Sequence, residues 1–261
     1  MKMKPKYTFI KGESPVVISA IHDGHDVREE LEHLYAIDET SRLREEDPFT
    51  ATWTYHSDSR IIVHQSRFEV DINRPREKAV YQKPEDAWGL QVWKKPLPQE
   101  ELEKSLAVYD EFYASAKQYF DELLSIHDSI IVFDLHSYNH QREGQVADQS
   151  KNPDINIGTG NMNRELWAPV VESLIECFKC FDYDGQHLDV RENVKFKGGY
   201  FGKWLFEQYG NAVCPISIEF KKIFMDEISG KGFENQICMI CSMVKLSVRD
   251  VIKELKKAIH A

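Results

Sequence analysis

Short β-branched runs set between long helical stretches constrain this chain more than any other feature of it. Residues 16–20, which follow Ser14-Pro15, together with 61–64 and 130–135, have the length and composition of buried strands. Between the second and third, over 99–125, Leu102, Leu106, Tyr109, Tyr113, Ala116 and Phe120 recur at steps of three or four on a charged background. That spacing predicts one long amphipathic helix. Residues 163–181 repeat the pattern and 233–259 repeat it again, with one break expected, while 213–220 alternate as a further strand. Strands alternating with helices predict an α/β fold: a mixed, mostly parallel sheet with helices on both faces. In such sheets ligands collect at the carboxyl ends of the strands.

No internal repeat, Gly/Ser linker or low-complexity segment interrupts the 261 residues, so a single domain over 1–261 is expected. Residues 23–47 and 78–98 are too polar and irregular for core elements and are expected to be excursions that wall a site. The 33 Lys and Arg against 43 Asp and Glu give a net charge of −10, which argues against a nucleic-acid partner. No uninterrupted apolar stretch is long enough to suggest a membrane span. The basic start gives way to Tyr7-Thr8-Phe9-Ile10-Lys11 without the apolar region of a secretory signal. With an odd count of five cysteines, this points to a reducing, cytoplasmic setting. The Cys177/Cys180 and Cys238/Cys241 pairs have zinc-knuckle spacing but lie in apolar helical patterns, so they are read as small core hydrophobes.

Chemistry concentrates at the strand ends. The first strand stops at His22-Asp23-Gly24-His25, and the run at 130 leads into Asp134-Leu135-His136-Ser137. Period-two geometry puts Asp134 and His136 on one face, and a carboxylate beside a metal-binding imidazole fixes its tautomer. Glu219 interrupts an apolar strand, where a charge is costly unless a cation answers it. Arg67 and Asp71-Ile72-Asn73-Arg74 pack two guanidinium groups and an amide into eight residues, a pattern suited to carboxylate recognition.

A strand ending in His, a later Asp-x-Asn-Arg, then Asp-Leu-His-Ser and finally an apolar strand with a single Glu resemble, in that order, the N-formylglutamate amidohydrolase family. That family is similar in fold and site to the zinc carboxypeptidases and aspartoacylase. The resemblance extends from Val16 to about Glu227 and includes Lys197-Gly198-Gly199-Tyr200 and Phe224-Met225-Asp226-Glu227. It implies a carboxypeptidase-like three-layer sandwich and one zinc ion held by His22 and His136. It further implies Glu219 as general base, Arg67 polarising the scissile carbonyl, and Asn73 and Arg74 holding a substrate carboxylate. Gly199 and Tyr200 would line the substrate site, although Tyr200 equally fits a residue that only packs a turn.

The sequence departs from this pattern at the remaining ligand. Three residues after His22 stands His25 where zinc carboxypeptidases have Glu. The substitute is read as Asp47, ahead of a helix over 48–55 that Pro48 would open with Asp47 as its cap; Glu46 and His25 are the reserves. Asp47 as a helix cap alone, Glu219 as the partner of a buried base, and Arg67 and Arg74 as surface ion pairs are the plainer alternatives. The expected activity is removal of the N-acyl, chiefly N-formyl, group from an acidic amino acid. A carboxypeptidase-like peptidase, another N-acyl amino acid deacylase, and a catalytically silent metabolite-binding module are the competing readings. The expected partner is a small molecule, and the sequence carries no signal for an oligomeric state.

Overall fold

The computed structural model describes residues 5–142 and 145–259. Strands β1 (Tyr7–Ile10) and β2 (Val16–Ala20) are followed by the short helices α1 (Glu29–Glu32), α2 (Glu39–Glu45) and α3 (Thr50–Trp53), then by β3 (Ser59–Val63). Helix α4 (Gln99–Leu124) leads to β4 (Ile130–Tyr138), the paired β5 (Gln141–Arg142) and β6 (Gln145–Val146), and β7 (Ile155–Gly158). Helix α5 (Ala168–Cys180), β8 (Val190–Glu192), α6 (Tyr200–Tyr209), β9 (Val213–Lys221) and α7 (Glu234–Ile259) complete the order.

Seven strands form one sheet in the order β1-β3-β2-β4-β9-β7-β8. The central β3, β2, β4 and β9 are mutually parallel. Strand β1 closes one edge antiparallel to β3, and β7 runs antiparallel to β9 with β8 parallel beside it. The central strands read as unbroken apolar runs because both of their faces are covered. Ile131, Phe133 and Leu135 of β4 join Leu174 and Phe178 of α5 and Met243, Val244 and Val251 of α7 in one core. Ile130 and Val132 of the same strand turn the other way, onto Phe112, Ala116 and Phe120 of α4 and Phe201 and Leu205 of α6. The result is the expected mixed α/β sandwich.

Several sequence expectations change. Helix α7 is continuous rather than broken: it contains neither Gly nor Pro, and the one buried hydroxyl on its core stripe, Ser247, bonds back to the Val244 carbonyl at 2.8 Å. Residues 78–98 are not merely a polar wall, since Ala79, Val80, Tyr81, Ala87, Val92 and Trp93 are buried in the second core. Trp93 stacks on Tyr35 with ring centroids 4.5 Å apart, tying the two excursions together. The paired cysteines do lie on α5 and α7, but Cys180 and Cys238 are exposed. Strands β1, β7 and β8, of three or four residues each, are too short to show a period of their own. No helix among the described residues is long and apolar enough to cross a membrane.

Candidate active site

The carboxyl ends of β2, β4 and β9 open on a cavity of about 640 Å³ whose lining includes His22, Asp47, Arg67, Asn73, Arg74, His136, Gly199 and Glu219. His22 lies two residues past the end of β2. His136 belongs to β4 and stands directly across from Glu219 of β9 in the parallel register.

Asp47 reaches the same point through the backbone, its N–H donating to the His22 carbonyl at 2.9 Å. The expected helix over 48–55 forms, but two residues late and with a 3-10 turn, Thr54–His56, as its second half. Helix α3 begins at Thr50, after Phe49 at φ 74°, and the side chain that caps it is Asp23, which accepts from the Ala51 N–H at 2.9 Å. Asp47 is thereby released from capping, and its carboxylate turns inward. Its Oδ2 lies 3.1 Å from His136 Nδ1 and 3.5 Å from His22 Nδ1, while Oδ1 accepts from Ser137 Oγ at 3.0 Å. All three side chains are buried. His22, Asp47 and His136 are the one group of potential metal ligands that converges among the described residues.

Each imidazole is fixed from behind. His22 Nε2 donates to Asp71 Oδ1 at 2.7 Å, and His136 Nε2 donates to Asp134 Oδ2 at 2.8 Å. Asp134 in turn accepts from Ser19 Oγ at 2.8 Å. Asp71 also accepts from Arg67 Nη2 at 2.9 Å, from the Asn73 N–H at 2.9 Å and from the Tyr81 hydroxyl. Both rings therefore present Nδ1 to the cavity, the arrangement in which a carboxylate behind a histidine sets its tautomer.

The electrostatics follow from crowding four carboxylates, Asp47, Asp71, Asp134 and Glu219, and two imidazoles largely out of water. Burial alone would raise Asp47, but hydrogen bonds from His136 and His22 hold it well below the ordinary carboxylate range. Asp71 is likewise depressed against its burial by Arg67 and His22. Glu219 goes the other way: burial pushes it up to about 7 against the pull of the His136 ring. Its proton affinity is thereby moved toward neutrality, the property wanted of a proton-transfer group.

Other expected residues take more mixed places. His25 and Glu46, the reserve ligands, pair with each other, and Glu46 also receives the Ser66 hydroxyl, so neither joins the buried group. Arg67 lines the cavity but has donors committed to Asp71, to Tyr81 Oη at 3.2 Å and to the Glu45 carbonyl at 3.4 Å. Arg74 is freer: among the described residues its side chain makes a 3.6 Å ion pair to Asp71 and sits over the Tyr81 ring. Asn73 spends its Oδ1 on the N–H of Phe201 at 2.9 Å and leaves Nδ2 3.5 Å from His136 Nε2. It caps α6 in place of Gly199, which has no side chain to do so; a Cβ on Gly199 would lie 2.2 Å from Asn73 Nδ2. Tyr200 is not part of the cavity wall. Its ring packs edge-on against Tyr113, because the first turn of α6 directs it to the second core.

Asp71 and Lys222 are the functional neighbours that carried no signal of their place. Asp71 reads in sequence as part of a recognition motif, and only the fold sets it behind His22. Lys222 is buried and lines the cavity, donating to the Arg44 and Glu46 carbonyls of the segment that leads into Asp47. Burial lowers its ammonium to about 8.

A covered, mixed sheet whose parallel strands deliver two histidines to one buried point, where the Asp47 carboxylate meets them from the segment between α2 and α3, defines an α/β protein with a metal-competent site. A family model described as N-formylglutamate amidohydrolase matches residues 14–225, and the chain belongs to that family. Among solved structures, an N-formylglutamate amidohydrolase from Ralstonia eutropha JMP134 is 14% identical with a TM-score of 0.72, the match covering 96% of this chain and 98% of that one. A gene product of Agrobacterium tumefaciens is 15% identical with a TM-score of 0.70, covering 97% of each chain. At these identities the likeness is one of fold. Comparison with curated protein sequences finds no match.

Proposed function

We propose that this amidohydrolase is zinc-dependent and removes the N-acyl group, chiefly formyl, from an acidic amino acid such as N-formylglutamate. The observation that carries the reading is the convergence of His22 Nδ1, His136 Nδ1 and Asp47 Oδ2, with both Nε2 atoms anchored on carboxylates. Two imidazole nitrogens and one carboxylate oxygen form a common donor set of catalytic zinc. Separations of 3.1 and 3.5 Å suit atoms each about 2.1 Å from one tetrahedral ion. When bound, zinc would lower the pKa of a water toward about 7 and polarise an acyl carbonyl.

The remaining work belongs to the chain. Glu219, across the sheet from His136, accepts the proton of the attacking water at its carboxylate and returns it to the departing nitrogen. Arg67 faces the cavity with its charge already oriented by Asp71 and Tyr81, so it can answer negative charge developing on the acyl oxygen without reorganising. Arg74, with Asn73 Nδ2, orients a substrate carboxylate.

A hydrolysis screen of N-formyl, N-acetyl and N-succinyl amino acids, with and without a side-chain carboxylate, tests the reading. N-formylglutamate is expected to lead. A lead by neutral or peptide substrates would replace this assignment with a broader deacylase or a peptidase. Replacing Asp71 or Asp134 by Asn is expected to weaken zinc binding about 10- to 100-fold, because each holds a ligand imidazole in its tautomer. Competition with a chromophoric chelator measures this, and unchanged affinity in both variants would remove the proposed second layer of the site.

A further inference from the structure

The segment that carries α1 and α2 and the turn after β3 enclose a second cavity, of about 910 Å³, which shares no lining residue with the first among the described residues. Two buried polar atoms of its wall are unused. Gln65 is 5% exposed and Tyr35 8%, and neither Gln65 Oε1 nor the Tyr35 hydroxyl has a hydrogen-bond partner among the described residues. Buried polar groups are ordinarily paired, so orphaned atoms on a cavity wall point to a partner that a ligand brings. An amide oxygen can only accept and a phenol oxygen can accept as well, so an N–H donor satisfies both.

The charges around the cavity select the kind of donor. Its cations are already answered by carboxylates outside the lining: Lys6 by Glu111 at 3.3 Å, Arg28 by Glu69 at 2.6 Å, and both His25 and Arg42 by the buried Glu46. Glu29, Glu30 and Glu32 of α1 also line it and have no cationic partner among the described residues. The surplus is therefore negative. A divalent metal would need its oxygen ligands to converge on one point, and among the described residues only His22, Asp47 and His136 converge in that way. Carboxylates spread along a wall instead match charges spread along a chain. Val27 and Ile37, packed against the second core, give the same wall an apolar surface.

We infer that this second cavity is a binding site for a linear aliphatic diamine. One ammonium donates to Gln65 Oε1 and the Tyr35 hydroxyl, the methylene chain lies on Val27 and Ile37, and the other ammonium stands among the glutamates of α1. Alkylammonium groups remain protonated at neutral pH, as lysine does. The site does not depend on the reaction at the histidines.

Calorimetric titration of the full chain tests this, with 1,4-diaminobutane and 1,5-diaminopentane as probes and 1-aminopentane and 1,5-pentanediol as controls, all at one ionic strength. The diamines are expected to bind several-fold more tightly than the monoamine, and the diol not to bind. Gln65→Leu is expected to weaken the diamines about tenfold or more, the range of one hydrogen bond to a charged group. It should also raise the melting temperature of the free protein, because an orphaned oxygen leaves the interior. Tyr35→Phe keeps the ring that stacks on Trp93 and is expected to weaken binding by a smaller factor. The combined Glu29→Gln, Glu30→Gln and Glu32→Gln variant should bring diamine and monoamine affinities together. Calcium chloride should displace the diamines no better than sodium chloride of equal ionic strength. No diamine binding by wild type, or affinity unchanged in both Gln65→Leu and Tyr35→Phe, would overturn the site. So would displacement by calcium beyond the salt effect, or a lower melting temperature in Gln65→Leu, which would show that the fold itself uses the oxygen.

Discussion

Replacing Glu219 by Gln is expected to cut turnover about 10²- to 10⁴-fold, the usual contribution of a positioned acid–base group, while the protein still binds one zinc per chain. Gln keeps the shape and the hydrogen-bonding oxygen but cannot take a proton. Wild-type kcat/KM should fall as the medium is acidified, because the base must be ionised to act. Burial pushes Glu219 up to about 7, and a bound cation nearby favours the carboxylate, so the acidic limb is expected at or below about pH 7. The stability consequence has the opposite sign to the usual carboxylate. A carboxyl whose pKa is raised on folding binds its proton more tightly in the native state, so its contribution to stability is lost as pH rises from about 4.5 to about 7. Metal-free Glu219→Gln should therefore melt above metal-free wild type at pH 8, with the difference closing toward pH 4. Full turnover in the variant, by initial rates at saturating substrate, would remove Glu219 from the mechanism.

Chelation is expected to abolish turnover, and about one equivalent of zinc per chain should restore it. The same experiment has a readout independent of activity. A ligand that binds only the folded state stabilises it by about 4 kcal/mol when its free concentration is a thousand times its dissociation constant. For a chain of this size that corresponds to roughly 8–16 °C in melting temperature. His22→Ala and His136→Ala should lose most of this increment, since each deletes a ligand and removes one of the donors to Asp71 or Asp134. A melting curve indifferent to zinc, or activity that survives exhaustive chelation, would exclude a metal at His22, Asp47 and His136. Equal stabilisation by calcium and zinc would argue for a looser acidic site, because imidazole nitrogen suits zinc and not calcium.

Much of the scaffold was legible in order along the chain. The runs at 16–20 and 130–135 appear as β2 and β4, and 99–125 appears as α4, because a strand buried on both faces and a long amphipathic helix each leave a local signature. Strand β4 runs on to Tyr138, three residues past its apolar run, since the polar Asp134, His136 and Ser137 are paid for by partners from elsewhere rather than by water. The short edge strands and α6 left weaker signals, their burial depending on neighbours far away in sequence. The aromatic residues at 79–93 show the converse: a segment with polar composition becomes part of a core when another excursion packs over it.

Sequence alone determined which chemical groups stand at the ends of which strands: His22 after β2, His136 within β4 and Glu219 within β9, since local pattern fixes where a strand runs and therefore what its end presents. Tertiary structure alone decided that Asp47 turns inward. That choice depended on Asp23 taking over the cap of α3 and on the Asp47 backbone bonding to His22, contacts between residues more than twenty positions apart. It likewise decided that Asp71 stands behind His22 and that Lys222 enters the cavity. Spacing along a chain specifies direction within one element, whereas the meeting of side chains from different elements is set by how those elements pack.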